Sequence, residues 1–347
     1  MKYALVLGAG GFIGSHMVKR LKSEGYWVRG VDIKLPEFSS SAADEFLLLD
    51  LRESHSVIEA LSLTNTIQCF DEIYQFAADM GGAGFVFSGQ NDASIMHNSA
   101  TINLNLLEIQ RQVNRKYSVN KTKLFYSSSA CIYPEQNQKN PLAPNCEESS
   151  AYPANPDSEY GWEKLFSERL YMSFNRNHHI PIAIARYHNI YGPDGTWQGG
   201  REKAPAAICR KIANANKNAR EIEVWGDGEQ TRSFLYVSDC IEASRRLMNS
   251  DFSNPINIGS EEMVTINRLI DIVEGIANKK VSRKYILDAP TGVRGRNSSN
   301  ELIRKVLNWD YEMSLSQGLK ETYTWISNQI EKNKILESKS GEHGNAN

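Results

Sequence analysis

Short apolar runs alternate along the first half of the chain with longer stretches of helical spacing. Residues 3–7 are an apolar run that closes on glycines, and residues 12–22 follow with apolar positions at helical intervals. A short run bounded by turn residues predicts a strand, and a 3.6-residue period predicts a helix with one buried face. The same pattern predicts strands over 28–32, 46–49, 72–76 and 123–126, and helices over 54–61, 94–112 and 158–175. Residues 77–92 lack either period and read as a loop. Strands alternating with helices predict an α/β fold with a parallel sheet covered on both faces. Right-handed crossovers make that sheet doubly wound.

The second half is more mixed. Strands are expected over 182–185 and 222–225, and helices over 201–216, 237–248, 265–277 and 315–330. Residues 187–200 carry Gly192, Pro193, Gly195, Gly199 and Gly200, which fits a loop lining a site. No internal repeat is present. Residues 332–347 are polar and contain glycine, and a disordered tail is expected there.

The chain has 347 residues, 41% of them hydrophobic and 23% charged, which is ordinary for a soluble globular protein and leaves room for two domains. Lys and Arg number 39 against 41 Asp and Glu, for a net charge of -2. That balance excludes the global basic field of a nucleic-acid coat. The five cysteines, Cys69, Cys131, Cys146, Cys209 and Cys240, are odd in number and include no CxxC pair. Neither a disulfide framework nor a metal site is expected, and a reducing, cytoplasmic compartment is. The first apolar run is too short for a signal peptide. No run approaches the roughly 18 apolar residues of a membrane helix, so neither nucleic acid nor membrane is an expected partner.

Between the first strand and first helix lies Gly8-Ala9-Gly10-Gly11-Phe12-Ile13-Gly14, with Gly8, Gly11 and Gly14 spaced GxxGxxG. Glycine permits the tight turn and close backbone approach that a pyrophosphate needs. The helix beginning at Phe12 and Ile13 points free N–H groups at that anion. Asp32 ends the second strand, about 20 residues on, where an acid can bind an adenosine ribose and favour NAD. Asp50, ending the third strand, reads equally as an adenine contact or a helix N-cap.

Tyr160-Gly161-Trp162-Glu163-Lys164 holds a YxxxK pair. On a helix its tyrosine and lysine share a face, and the ammonium is expected to lower the phenol pKa so that Tyr160 can act as a base. Ser127-Ser128-Ser129 closes the preceding strand, where Ser129 can join a substrate hydrogen-bond network. Together these motifs resemble the extended short-chain dehydrogenase/reductase family over about residues 2–330. The resemblance implies a Rossmann domain over 1–180 with later segments returning to it, a smaller C-terminal α/β substrate domain over 181–331, bound NAD contacted also by Tyr160 and Lys164, a nucleotide-sugar substrate and a homodimer.

Cys131 follows the serine strand. It reads either as a carbon base, if desolvated beside positive charge, or as a small buried hydrophobe. Lys203 opens a helix after Gly199-Gly200 and reads as a pocket acid or a solvated charge. The strings Ala78-Asp79-Met80-Gly81-Gly82, Ser129-Ala130-Cys131-Ile132-Tyr133-Pro134-Glu135, Gly199-Gly200-Arg201-Glu202-Lys203-Ala204-Pro205 and Gln230-Thr231-Arg232-Ser233-Phe234 resemble the GDP-mannose 3,5-epimerase subfamily. That resemblance implies that Cys131 and Lys203 are an acid/base pair inverting C3 and C5 through a transient 4-ketone. It assigns substrate contacts to Gly81, Ser129, Ala130, Cys131, Asn189, Glu202, Lys203, Ala204, Lys211, Gln230, Arg232 and Arg296, the arginines suiting a diphosphate. Ala83 stands where the subfamily has methionine, and Trp162 where leucine is usual, so another GDP-sugar such as a GDP-heptose stays open. A 4,6-dehydratase or 4-epimerase is the alternative reaction.

Overall fold

The computed structural model describes residues 1–63, 69–117, 122–216 and 220–342. The first half runs β1 (Tyr3–Leu7), α1 (Phe12–Ser23), β2 (Trp27–Asp32), β3 (Glu45–Leu48), α2 (Ser54–Leu61), β4 (Glu72–Gln75), α3 (Ala83–Val86), α4 (Asp92–Tyr117), β5 (Lys123–Ser129), α5 (Glu159–His178) and β6 (Ile182–Tyr187). The second half continues through β7 (Ile190–Tyr191), α6 (Ala204–Asn214), β8 (Glu221–Trp225), β9 (Thr231–Ser233), β10 (Leu235–Tyr236), α7 (Val237–Asn249) and β11 (Pro255–Ile258). It ends with β12 (Met263–Thr265), α8 (Ile266–Ala277), β13 (Ser282–Ile286), β14 (Gly295–Arg296), α9 (Glu301–Leu307) and α10 (Leu315–Glu342).

A seven-stranded sheet in the order β11-β6-β5-β4-β1-β2-β3 forms the centre, and all its pairings are parallel. Successive side chains of a strand point to opposite faces, so β1 feeds two cores. Ala4 and Val6 pack with residues of α1 and α7, while Leu5 and Leu7 pack with residues of α2 and α4. The α/β doubly wound sheet expected from the alternation is thus present. Chain order reverses between β1 and β4, and the crevice at the carboxyl ends of those strands is where such sheets bind ligands.

A further core gathers Ile208 and Ile212 of α6, Leu269 and Val273 of α8, and Leu319 and Ile326 of α10. The chain does not divide at one point. β11 returns to the edge of the main sheet, and Ile241 of α7 and Ile303 of α9 return to its first core. Among the described residues no helix is long and apolar enough to cross a membrane.

Two sequence expectations need correction. The loop over 77–92 contains the short helix α3. The tail expected to be disordered from 332 is helical through Glu342, because α10 continues past its last buried anchor, Ile330. Its extension through Glu331, Lys332, Lys334 and Leu336 uses strong helix formers that need no core. Residues 343–347 lie outside those described.

Candidate active site

Gly8 ends β1 with φ of +85°, and a Cβ there would lie 2.7 Å from the Ala77 amide nitrogen. No other residue fits both constraints. A Cβ on Gly14 would collide with the Gly8 carbonyl, so the first turn of α1 sits directly on this loop. The N-cap of α1 is Gly11, which supplies no side-chain cap, so the first-turn N–H groups face a cleft lined by Gly10, Gly11, Phe12, Ser15, Lys34 and Asp194 among others. Ile13 turns inward and packs on the sheet core. Asp32 accepts the Gly10 N–H at 2.9 Å and the Lys34 N–H at 3.3 Å. Burial raises its pKa and those amides oppose the rise. An ionised carboxylate offers about four acceptor positions, so Asp32 retains capacity for a ribose diol. An uncapped helix N-terminus with a carboxylate bonded to the same glycine loop fits the diphosphate and ribose of a dinucleotide. Asp50 is engaged elsewhere: the Arg52 guanidinium grips it at 2.6–3.0 Å and lowers its pKa. The N-cap of α2 is Glu53, not Asp50.

Ser158 accepts the Gly161 N–H at 3.2 Å and starts α5. Tyr160 and Lys164 then fall one turn apart and both are buried. Lys164 Nζ donates to the Ser127 carbonyl at 2.9 Å and sits 5.7 Å from the Tyr160 ring centre. The phenol is not lowered as expected. Burial pushes it well up and Cys131 adds to the rise, while a hydrogen bond with Ser129 and the charge of Arg296 pull the other way. The Lys164 ammonium is itself pushed down by burial, with Glu163 and Glu168 opposing. Desolvation penalises the charged form of each partner, and in this site it is the largest influence on both. Behind α5, Glu168 forms a buried ion pair with Arg186 of β6 at 2.9 Å and accepts the Ser128 hydroxyl of β5 at 2.5 Å. This pair fixes the helix bearing Tyr160 to the strand bearing Ser129.

Cys131 lies on a 3₁₀ turn, Ala130–Ile132, whose N-cap Ser129 accepts the Cys131 N–H at 3.2 Å. A Cβ on Gly161 would strike the Cys131 carbonyl. The glycine inside YxxxK therefore lets the first turn of α5 approach the cysteine turn closely. Arg296 Nη1 donates to Cys131 Sγ at 3.0 Å, its Nε donates to Gln138 Oε1 at 2.6 Å, and its Nη2 pairs with Asp157. Burial raises the thiol pKa, Arg296 opposes and Asp157 adds to the rise. Lys203, half-buried, is the N-cap residue of α6. Its ammonium is pushed down by burial, with the sulfur of Cys131 the foremost opposing charge. A thiol moved up and an amine moved down are both held toward their neutral forms, and the amine feels the charge of the sulfur.

Gly81 and Gly82 open α3, and Gly82 N–H donates to the Arg201 carbonyl at 2.9 Å. Glu202 is held by Arg210 at 2.7 Å and by the Gly200 N–H at 2.6 Å. Ala130 is buried in the cysteine turn, and Ala204 begins α6. Asn189 sits at φ +45° and donates to the Ser233 carbonyl at 2.9 Å. Lys211 donates to the Glu223 carbonyl at 2.6 Å, and Gln230 to the Trp225 carbonyl at 2.7 Å. Gln230 Oε1 is buried with no hydrogen-bond partner among the described residues. Parallel pairing of β14 with β9 sets Arg296 directly beside Arg232. The Arg232 guanidinium, pulled down to about 10 by burial and by Arg296, donates among the described residues to the Thr231, Thr291 and Val293 carbonyls.

The structure also brings in residues the sequence did not mark. Phe85, Val86 and Phe87 of the α3 segment pack with Ile95 against Tyr160 and Cys131 and make a dry wall. Gln138 and Asp157 grip Arg296, and Gly161 sets the approach of α5. Gly161 was visible inside YxxxK. The other residues had no linear signal, because each acts on a partner far along the chain.

Residues 4–259 match the NAD dependent epimerase/dehydratase family. The chain is 45% identical over 343 residues to GDP-mannose 3,5-epimerase of Arabidopsis thaliana, covering 98% of this chain and 86% of that protein. It is also 45% identical over 332 residues to GDP-mannose 3,5-epimerase 1 of Oryza sativa subsp. indica, covering 95% and 82%. Its fold is similar to UDP-glucose 4-epimerase of Thermotoga maritima bound to UDP-glucose, with a TM-score of 0.80, 25% identity, and coverage of 94% and 99%. A UDP-glucuronic acid 4-epimerase of Bacillus cereus, in complex with UDP-glucuronic acid and NAD, aligns with a TM-score of 0.76 at 25% identity over 94% and 99% of the two chains. With the glycine loop, the Tyr160–Lys164 pair and a family match over most of its length, this chain belongs to the NAD dependent epimerase/dehydratase family.

Proposed function

We propose that the chain is a GDP-sugar 3,5-epimerase whose substrate is GDP-mannose. The observation that carries this reading is the convergence of a thiol and an amine, Cys131 and Lys203, beside the redox tyrosine. A simple 4-epimerase needs no proton-moving pair of that kind. The 45% identity to relatives named for this reaction supports the same reading.

NAD, when bound, would supply a reversible hydride acceptor for the sugar, so the reaction would be an isomerisation with no net redox change. Gly8, Gly11, Gly14 and the first turn of α1 would hold its diphosphate, and Asp32 its ribose. Tyr160 takes the proton of the C4 hydroxyl and later gives it back, with Ser129 hydrogen-bonded beside it. A 4-ketone acidifies the C–H bonds at C3 and C5, which are otherwise unreactive. One of Cys131 and Lys203 removes a proton there, and the other delivers one to the opposite face. Burial raises the thiol and lowers the ammonium, which favours a thiol able to give a proton and an amine able to take one. The wall of Phe85, Val86 and Phe87 keeps water from the enolate. Arg232 lies at the positive edge that a diphosphate would meet.

Inverting both C3 and C5 of the mannosyl group gives the L-galactosyl product, and inverting C5 alone gives the L-gulosyl one. Incubating the purified protein with GDP-mannose and, separately, with a GDP-heptose should convert the first to those sugars. Turnover of the heptose alone would reassign the substrate and leave the chemistry in place. A homodimer is part of the proposal, supported by an exposed apolar strip of Trp162 and Phe166 on α5 and Leu104 on α4. A reducing cytoplasm suits the five unpaired thiols.

A further inference from the structure

We propose that Asp157 is a positioning residue for the acid/base thiol. Its carboxylate holds the Arg296 guanidinium against Cys131 Sγ and ties that guanidinium to the start of the helix carrying Tyr160. The proposal rests on reading Cys131 as a proton-moving group.

Asp157 precedes α5, and its side chain is only 3% exposed. One oxygen pairs with Arg296 Nη2. The other accepts the Ser158 hydroxyl at 3.0 Å, and Ser158 in turn caps α5 through the Gly161 N–H. A guanidinium is a rigid planar fork, so its anchors fix the direction of every N–H. Arg296 has three: Asp157, Gln138 Oε1 and the sulfur. Gln138 is buried and held in place through its Nε2 by the Tyr133 carbonyl at 3.0 Å. Of the three, the Asp157 carboxylate is the only fixed negative charge.

That charge matters because of Arg232. The β14–β9 register places the two arginines side by side, and Arg232 has carbonyls but no carboxylate as partners among the described residues. A buried cation stripped of its counterion is strongly disfavoured. Without Asp157, repulsion from Arg232 and the drive toward solvent both pull Arg296 off the thiol. Asp157 thus has two opposed effects on Cys131. Its own charge disfavours the thiolate, while the arginine it holds favours it. The other charged or titratable groups acting with the sulfur are Lys203 ahead of α6, Tyr160 and Lys164 on α5, and Arg232 on β9, while Cys146 acts on Arg296.

Two variants grade the hold on Arg296. In D157N an acceptor oxygen remains for Arg296 but the charge is gone. In D157A the anchor itself is lost. The test is the pH dependence of Cys131 alkylation by iodoacetamide in the purified NAD-containing protein, read by mass mapping of the Cys131 peptide. NAD retention and thermal melting serve as controls for the fold. The expected result is a midpoint above wild type by about one pH unit in D157A, and a smaller rise in D157N, whose remaining oxygen still anchors Arg296. Should D157A not fold, D157S carries the same expectation. Equal midpoints in all variants, or a fall in both, would overturn the positioning role. Alkylation needs no sugar substrate, so this outcome is independent of whether GDP-mannose is turned over.

Discussion

At the residue scale, the site combines groups that burial has moved toward neutrality. Water would stabilise a thiolate, an ammonium and a phenolate. Here Cys131 and Tyr160 are raised and Lys203 and Lys164 are lowered. Arg296 offsets part of the shift at the sulfur through a contact of 3.0 Å. General acid/base groups contribute roughly 100- to 10,000-fold, so Cys131→Ala and Lys203→Met should each slow product formation by a factor in that range. NAD should stay bound in both, since neither residue lines the cleft at α1. Product assays with NAD content measured on the same samples check this, and undiminished turnover in either variant removes it from the proton-moving pair. Cys131, Lys203 and Tyr160 were legible in the sequence because short motifs carry them. The electrostatics were not. The YxxxK spacing led to a lowered phenol, whereas desolvation, which depends on what packs around a group, raised it. Arg296 was read as a diphosphate ligand and turns to the sulfur, because its anchor Asp157 is 139 residues away.

Among the elements, α5 is the one on which the proposed chemistry turns. Ser158 caps it, Gly161 lets it touch the cysteine turn, and the Glu168–Arg186 pair bolts it to β5 and β6. Removing one partner of a buried ion pair leaves an uncompensated charge. Glu168→Ala should therefore destabilise the fold by about 3–5 kcal/mol, measured by urea unfolding. A loss below 1 kcal/mol would mean that α5 is held by packing alone. The strands and helices of the first half were legible because their periods are local. The short strands β9, β12 and β14 were not, since two or three residues carry no period and their pairing is decided by contacts between distant segments. The wall made by α3 escaped for the same reason: its apolar residues find their partners on α4, α5 and the cysteine turn.

Across the whole molecule, β11, α7 and α9 come back to the first core, so the sheet and the second core share one continuous scaffold. One sensitive point of that scaffold is His188, fully buried, with Asn257 Oδ1 at 2.9 Å from its Nε2. Burial pulls it from the ordinary 6.5 down to about 3. The unfolded chain takes up that proton below about 6.5, and the folded one refuses it until about 3. The stability His188 contributes is therefore complete above 6.5 and is lost progressively as pH falls toward 3. Between pH 6.5 and 5 the loss should reach about 2 kcal/mol, and His188→Gln should flatten that part of a urea-midpoint profile against pH. The exposed strip on α4 and α5 gives a prediction at the same scale. The proposed homodimer predicts a dimer's sedimentation coefficient for the wild type and a monomer's for Trp162→Lys with Phe166→Glu, whereas a monomer's coefficient for the wild type would remove the homodimer.

The central claim is that a ketone at C4 loosens hydrogens that Cys131 and Lys203 then exchange across the sugar ring. It is tested most directly by turning over GDP-mannose in deuterated water and reading the recovered nucleotide sugars by NMR. The account predicts deuterium at C5, at C3 or at both in the product, none at C4, and labelled product formed roughly 100- to 10,000-fold more slowly with Cys131→Ala. Converted product carrying no solvent deuterium at either carbon would contradict it.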